Sequence, residues 1–410
     1  MTGPMTGVRI LEVAQYTFVP AAAAVLADWG ADVIKVEHAE MGDAQRGLSK
    51  VFGLDAISRG SSFVPMMEGP NRGKRSIGLA LDTAEGLEIL HELIRRSDVF
   101  LTNFLPGAKA KLGIEVEDVR KVNPDIIYAR GTGFGARGDE AAKGGYDSTA
   151  FWSRGGSGAL VTPPGSEHYQ EMPTGAFGDN IGGMTIAGGI SAALFKRAAT
   201  GETSVVDVSL LGVGAWTTQF AVNQALMWGG ELPTRAPRKY GSSSNPLTGA
   251  YRTKDDRWLM LAMLQPGKYW GPLMEAAGRA DLAADERFDS GEKILATAEE
   301  ASDVVQELFA TRPYAEWLEI LASQSGQWSS VQTPWEVGND PSLRANGYIT
   351  TVKDAEGVDR EIVASPVQFD TTPVEISRAP LFAEHTDDII RELGKSDDEL
   401  IDLKVARIIT

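Results

Sequence analysis

Cysteine is absent from the chain. That excludes a thiol nucleophile, a thiolate metal site and a disulfide scaffold. Histidine is scarce: His38, His91, His168 and His385 are the only four, and no two have the HExxH spacing. A zinc hydrolase is therefore not expected, and no metal site is read from the sequence. Positive charge is in deficit, with a formal net charge of -17. The field of such a chain repels nucleic acid and anionic membrane. An anionic ligand would need a local cluster of cations. Long apolar runs are missing as well. The most apolar stretch, residues 186–195, contains Gly188, Gly189 and Ser191 and is followed by Lys196 and Arg197. It reads as a buried helix, not a membrane span. Residues 1–7 have neither the basic start nor the apolar run of a signal peptide, so a cytoplasmic location is expected.

What is present is a repeated β-α pattern over 410 residues, too many for one core. Residues 8–13 (VRILEV) form an apolar run suited to a strand covered on both faces. Pro20 can open a helix that continues over 21–29 and stops at Gly30. A second strand follows over 32–37. Asp82 or Thr83 caps a helix with Leu87, Leu90, Leu93 and Ile94 on one face. Strands over 98–104 and 125–129 flank short helices over 108–112 and 116–122. Residues 133–178 read as long Gly/Pro/Ser-rich loops, which in a compact domain are usually functional. A long apolar helix is expected from about Asp179 to Arg197, then a strand over 204–211. This alternation predicts a mostly parallel, doubly wound sheet. Residues 233–246 hold three prolines and three consecutive serines. They read as a linker, followed by a hairpin over 250–263 turning near Asp255–Asp256. Residues 363–369 read as a strand and 387–393 and 397–408 as helices.

Two glycine motifs are weighed and set aside. Gly131, Gly133 and Gly135 follow a strand, but the spacing is not GxGxxG and the first β-α turn, Gln15-Tyr16-Thr17-Phe18, has no glycine. A nicotinamide cofactor is not expected. Residues 69–75 (GPNRGKR) are one residue short of a phosphate loop and lack the Ser or Thr after Lys74. The run Asn71-Arg72-Gly73-Lys74-Arg75-Ser76 still places three cations within four positions. On the residues alone, a solvated turn and a grip on phosphates both stay open. The same holds for Lys109 and Lys111. Asp179, in Gly178-Asp179-Asn180-Ile181-Gly182-Gly183, lies where a loop meets the start of a helix. Spacing alone favours a helix N-cap there. The chemical alternative is a carboxylate nucleophile, with helix amides favouring its ionised form and glycines admitting a substrate.

Several segments in order resemble the class III CoA-transferases, the family of formyl-CoA transferase and the carnitine CoA-transferases. These are ILEVAQYTFVPAAAAVLADWGADVIKVE, NRGKRSIGLAL, TNFLPGAKAKLG, NPDIIYARGTGFG, GDNIGGM and EHTDDIIRELGKSDDELIDL. The resemblance covers nearly the whole chain. It implies an α/β fold: a Rossmann-like large domain built from both chain ends plus a smaller α+β domain, in an interlocked homodimer. The expected boundaries are 1–230 for the first part of the large domain, 231–249 for a linker, 250–330 for the small domain, and 331–410 for a second linker and the C-terminal part of the large domain. It implies a CoA-transferase that moves CoA from an acyl-CoA donor to a carboxylic acid acceptor. Coenzyme A enters as substrate, with no tightly bound cofactor. The family's nucleophilic aspartate falls on Asp179, which would form covalent aspartyl intermediates. CoA contacts carry over to Tyr16, Thr17 and Phe18, to Lys74 and Arg75, to Asn103 and Phe104, and to Lys111, where the family commonly has arginine.

Departures from the pattern carry information. His38 stands where many members have Arg or Pro near the adenine. Tyr146, included among the CoA-site residues, stands where the related alpha-methylacyl-CoA racemases carry a catalytic histidine. Tyrosine is a poor base near neutral pH, which favours transfer over racemisation. Residues 241–245 match a family loop that shields the intermediate but hold less glycine. An acyl-CoA racemase or epimerase and a non-catalytic CoA-binding protein remain the alternatives.

Overall fold

Apolar runs flanked by turn residues form the strands, and helices between them cover both faces. A computed structural model describes residues 3–48, 50–51, 54–55, 62–232 and 244–410. They fall into two compact units. The first holds residues 1–162, 168–230 and 341–410, and the second holds 163–167 and 231–340. Most of the 231–249 linker segment, residues 233–243, lies outside the described residues.

In the first unit, β1 (Arg9–Val13) leads through α1 (Phe18–Asp28) to β2 (Asp32–His38). Next come α2 (Pro65–Asn71), β3 (Arg75–Leu79), α3 (Ala84–Arg95) and β4 (Val99–Thr102). Then follow α4 (Pro106–Leu112), α5 (Val116–Val122) and β5 (Ile127–Thr132). After α6 (Ser157–Val161), α7 (Phe177–Thr200) and β6 (Val205–Ser209) complete the series. The six strands are parallel, in the order β3-β2-β1-β4-β5-β6. This is the Rossmann-type doubly wound order, which reverses between β1 and β4; ligands in such sheets bind beyond the carboxyl ends at that reversal.

One face of the sheet packs against α1 and α7, with Phe18, Ala22, Leu26, Ile186 and Ile190 buried. The other packs against α3 and α5 and receives the chain's end, with Ile389, Ile390, Leu400 and Ile409 buried. Residues 363–369 differ from expectation. The strand there is Asp359–Val363, paired with Ile349–Lys353, and the chain then leaves extended structure apart from a single bridge at Phe369. In the second unit, Thr248–Arg252 and Trp258–Ala262 form the expected antiparallel hairpin, with Asp256 in its turn at φ 63°.

The glycines after Asp179 serve a different purpose from the one read in the sequence. A side chain on Gly182 would overlap the Phe18 ring, and a Cβ on Gly183 would lie 2.7 Å from that of Ala21. They let α7 pack closely on α1.

Beneath the first β-α turn lies a buried set of charges. Lys35 Nζ donates to Glu12 at 2.8 Å and to the carbonyl of Ala14 at 3.0 Å, and pairs with Asp43 at 2.8 Å. Lys74 Nζ donates to Glu12 at 2.5 Å and to the carbonyl of Pro20 at 3.0 Å. Burial works against the charge of Lys35, but Glu12, Asp43 and Glu37 outweigh it and hold its pKa above the usual lysine value. Burial, with Lys35 nearby, pulls Lys74 down to about 8 against the attraction of Glu12. Replacing Glu12 by Gln leaves two buried ammoniums short of a partner and is expected to cost about 3–5 kcal/mol. Urea unfolding measures this; a loss below about 1 kcal/mol would contradict the account.

Candidate active site

The turns after β1 and β4 are stitched together. Gln15 N donates to Asn103 Oδ1 at 3.1 Å, and Asn103 Nδ2 donates to the Gln15 carbonyl at 2.7 Å. Beside this clamp lies a cavity of about 400 Å³. Tyr16, Phe18, Asn103, Phe104, Tyr146 and Asp179 line it. So do Leu105, Pro106, Leu210 and the glycines 131, 133, 144 and 145. Three cations also reach it: Lys109, Arg130 and Lys143.

Asp179 does not cap its helix. It is the third residue of α7, and Ala176, at φ 61°, stands in the cap position. Burial is the main reason its pKa is raised, to about 7, and the negative charge of Asp147 adds to the shift. Asp147 follows Tyr146 at the start of a π-helical turn, Asp147–Ser153. One of its oxygens accepts from Ser148 N at 2.8 Å, and the other is buried. Burial raises its pKa too, while the amides of Ser148, Gly178, Asp179 and Ala176 pull the other way. Asp147 therefore occupies the amide end of α7 and denies Asp179 much of the relief a helix start would offer. Two carboxylates share one small apolar region, and the like charge keeps one of them protonated further into neutral pH. Sequence spacing gave no sign of this pairing, because 32 positions separate the two residues and only the packing of α7 on the π-helical turn joins them.

Tyr16 meets Tyr146 edge-on, with ring centroids 5.8 Å apart and an interplanar angle of 86°. The hydrogen bond between the phenols raises the pKa of Tyr16, and burial adds to it.

Five expected residues lie elsewhere. Thr17 turns its hydroxyl to Gln45, donating at 3.0 Å. His38 accepts from the amides of Glu40 and Met41 through Nδ1. Lys74 is consumed by the buried set under the turn. Arg75 holds Asp32 with two hydrogen bonds and pairs with Glu392 at 2.5 Å. Lys111 points outward from α4 as an exposed side chain, while Lys109, also noted in the sequence, is buried against the cavity. The reason is common to the three cations of the NRGKRS run: in a strongly acidic chain each has found a carboxylate, Arg72 on Asp28, Lys74 on Glu12 and Arg75 on Asp32. Among the described residues no group of three or more acidic or histidine side chains could hold a metal, and no helix is long and apolar enough to cross a membrane.

A doubly wound sheet with a cavity at its reversal point and a largely buried carboxylate in the wall has the layout of an α/β enzyme. The CoA-transferase family III model matches residues 5–386, and the chain belongs to that family. It is 28% identical to (R)-2-hydroxy-4-methylpentanoate CoA-transferase of Clostridioides difficile, covering 99% of each chain. It is 33% identical to formyl-CoA:oxalate CoA-transferase of Streptomyces avermitilis, covering 98% of this chain and 99% of the relative. Among solved structures it resembles a CAIB/BAIF family protein from Brucella suis, with a TM-score of 0.83 and 28% identity, covering 96% of this chain and all of the other.

The two carboxylates generate a pH prediction. The folded pKa of Asp179 lies above its unfolded value of 3.8, so the fold holds a proton through that interval. The stability it contributes is complete below 3.8 and is lost as pH rises through about 7. Asp179→Asn is expected to be more stable than the parent at pH 8, by an amount on the order of 2–4 kcal/mol, with no gain below pH 4. Urea unfolding over this pH range tests it; equal stability at pH 8 would contradict it.

Proposed function

We propose that this CoA-transferase moves CoA from an acyl-CoA donor to a carboxylic acid through covalent intermediates on Asp179. The observation that carries the reading is the position of that carboxylate, largely buried in the cavity wall beside the clamp of Gln15 and Asn103. The ionised carboxylate attacks the thioester carbonyl. The C–S bond breaks, CoA leaves as thiolate, and an aspartyl–acyl anhydride remains. The thiolate then attacks the aspartyl carbonyl and releases the donor acid, leaving Asp179 as its CoA thioester. The acceptor carboxylate repeats the two steps in reverse and regenerates Asp179. No proton is consumed overall, and dividing the exchange into acyl transfers between carboxylate and thiolate lowers each barrier.

Burial supports this chemistry. A desolvated carboxylate is a stronger nucleophile than a hydrated one, and exclusion of water protects both the anhydride and the thioester from hydrolysis. Lys109, Arg130 and Lys143 line the same cavity, each with a carboxylate of its own beside it. Asn103 and Phe104 line the same cavity and are proposed to flank the pantetheine arm.

A homodimer is part of the proposal. The helix Gln219–Trp228 buries none of its residues, and Phe220, Leu226, Met227 and Trp228 stand exposed with Trp216 just before it. An apolar face of that kind is suited to a second copy of the chain.

Asp179→Ala is expected to lower exchange between acyl-CoA and acid by at least about a thousandfold. Undiminished turnover would remove the nucleophile. Solvent deuterium appearing at the α-carbon of an acyl-CoA, without exchange of acids, would favour the racemase alternative.

A further inference from the structure

The first β-α turn is held in a conformation that side chains avoid. Tyr16 has φ 64°, and it is the only aromatic residue in the left-handed region among the described residues. That backbone disfavours any residue with a Cβ, and it persists only where the surroundings enforce it. Here they do. Tyr16 N donates to Asp43 Oδ1 at 3.1 Å, and the same oxygen accepts from Gln45 N at 2.9 Å. Asp43 is itself fixed by the buried Lys35 at 2.8 Å. On the other side, Gln15 is tied to Asn103 by its amide and its carbonyl. The outcome is a tyrosine ring set into the cavity, edge-on to Tyr146.

The cavity's charges are already matched. Lys109 pairs with Glu115 at 2.9 Å, Lys143 with Glu140 at 2.8 Å, and Arg130 with Asp207. Among the described residues no cation draws on Asp179; burial and a second carboxylate set its surroundings. A free carboxylate at the far end of an acyl chain would find like charge and aromatic rings here, and an unpaired buried charge is strongly disfavoured. An apolar chain would find a preformed wall.

We propose that Tyr16 is the residue that selects the acyl group, that the wall it makes with Tyr146 receives the chain, and that the acids exchanged are monocarboxylic with an apolar or aromatic chain. This rests on the reading of Asp179 as the acyl-carrying residue. Asp43 acts as a positioning residue through Tyr16.

The test separates binding from turnover. On Asp179→Asn, calorimetry is run with 3-phenylpropionyl-CoA and with succinyl-CoA. The aryl thioester is expected to bind at least about tenfold more tightly. Tyr16→Gly, added to Asp179→Asn, suits the left-handed backbone and so keeps the fold while removing the ring; it is expected to abolish the preference. Tyr146→Ala, which leaves the strained turn untouched, should reduce the preference in the same sense. Equal affinity, tighter binding of succinyl-CoA, binding of neither ester, or a preference unaltered by both ring deletions would overturn the proposal. Failure of the parent reading shows in a separate readout, namely full exchange activity in Asp179→Ala.

Discussion

Two carboxylates that the fold presses into one apolar corner set the terms for everything else in the large unit. Asp147 and Asp179 cannot both ionise there without opposition, and among the described residues no cation settles the matter. A lone aspartate at the third position of a long helix would be an inert anion, stabilised by the amides around it. Asp147 takes up that stabilisation first. Asp179 is left with a pKa of about 7, which leaves the ionised form that the proposed chemistry requires present at neutral pH.

Holding this pair requires the rest of the architecture. Helix α7 approaches α1 closely only because Gly182 and Gly183 have no side chains. Helix α1 in turn begins at the strained turn of Tyr16, which hangs from Asp43 above the buried lysines. Burying Glu12, Lys35, Lys74 and Asp43 is not an obvious route to stability, since apolar residues of similar shape often do as well. The geometry gives the network another use: it fixes one unfavourable backbone torsion at the place where β1 meets the cavity.

Much of the fold was legible in the residues. Apolar runs at 8–13 and 32–37, the Thr83 cap and the apolar face of 84–95 all reflect local rules, and the parallel sheet follows from their alternation. The strand expected at 363–369 ends at Val363, because Pro366 has no amide hydrogen to give a ladder and the chain bends there. For the site, the resemblance to the family identified Tyr16, Phe18, Asn103, Phe104, Tyr146 and Asp179 as candidates, and all six line one cavity. What spacing could not reveal was partnership. Lys74 and Arg75 look free in a list of residues, and they are bound to Glu12, Asp32 and Glu392 in space. Lys111 and Lys109 differ by half a turn of α4, which suffices to put one outward and the other at the cavity. Arg130 is the omission that a stricter rule would have caught, since it lies near the carboxyl end of β5, where such sheets bind ligands.

The most direct measurement is chemical. The enzyme is mixed with an acyl-CoA in the absence of acceptor, treated with hydroxylamine, digested and mapped by mass spectrometry. The account predicts a hydroxamate on one side chain, Asp179, formed in proportion to the acyl-CoA consumed. An unmodified Asp179 with the hydroxamate on another residue, or on none while acids are still exchanged, would contradict it.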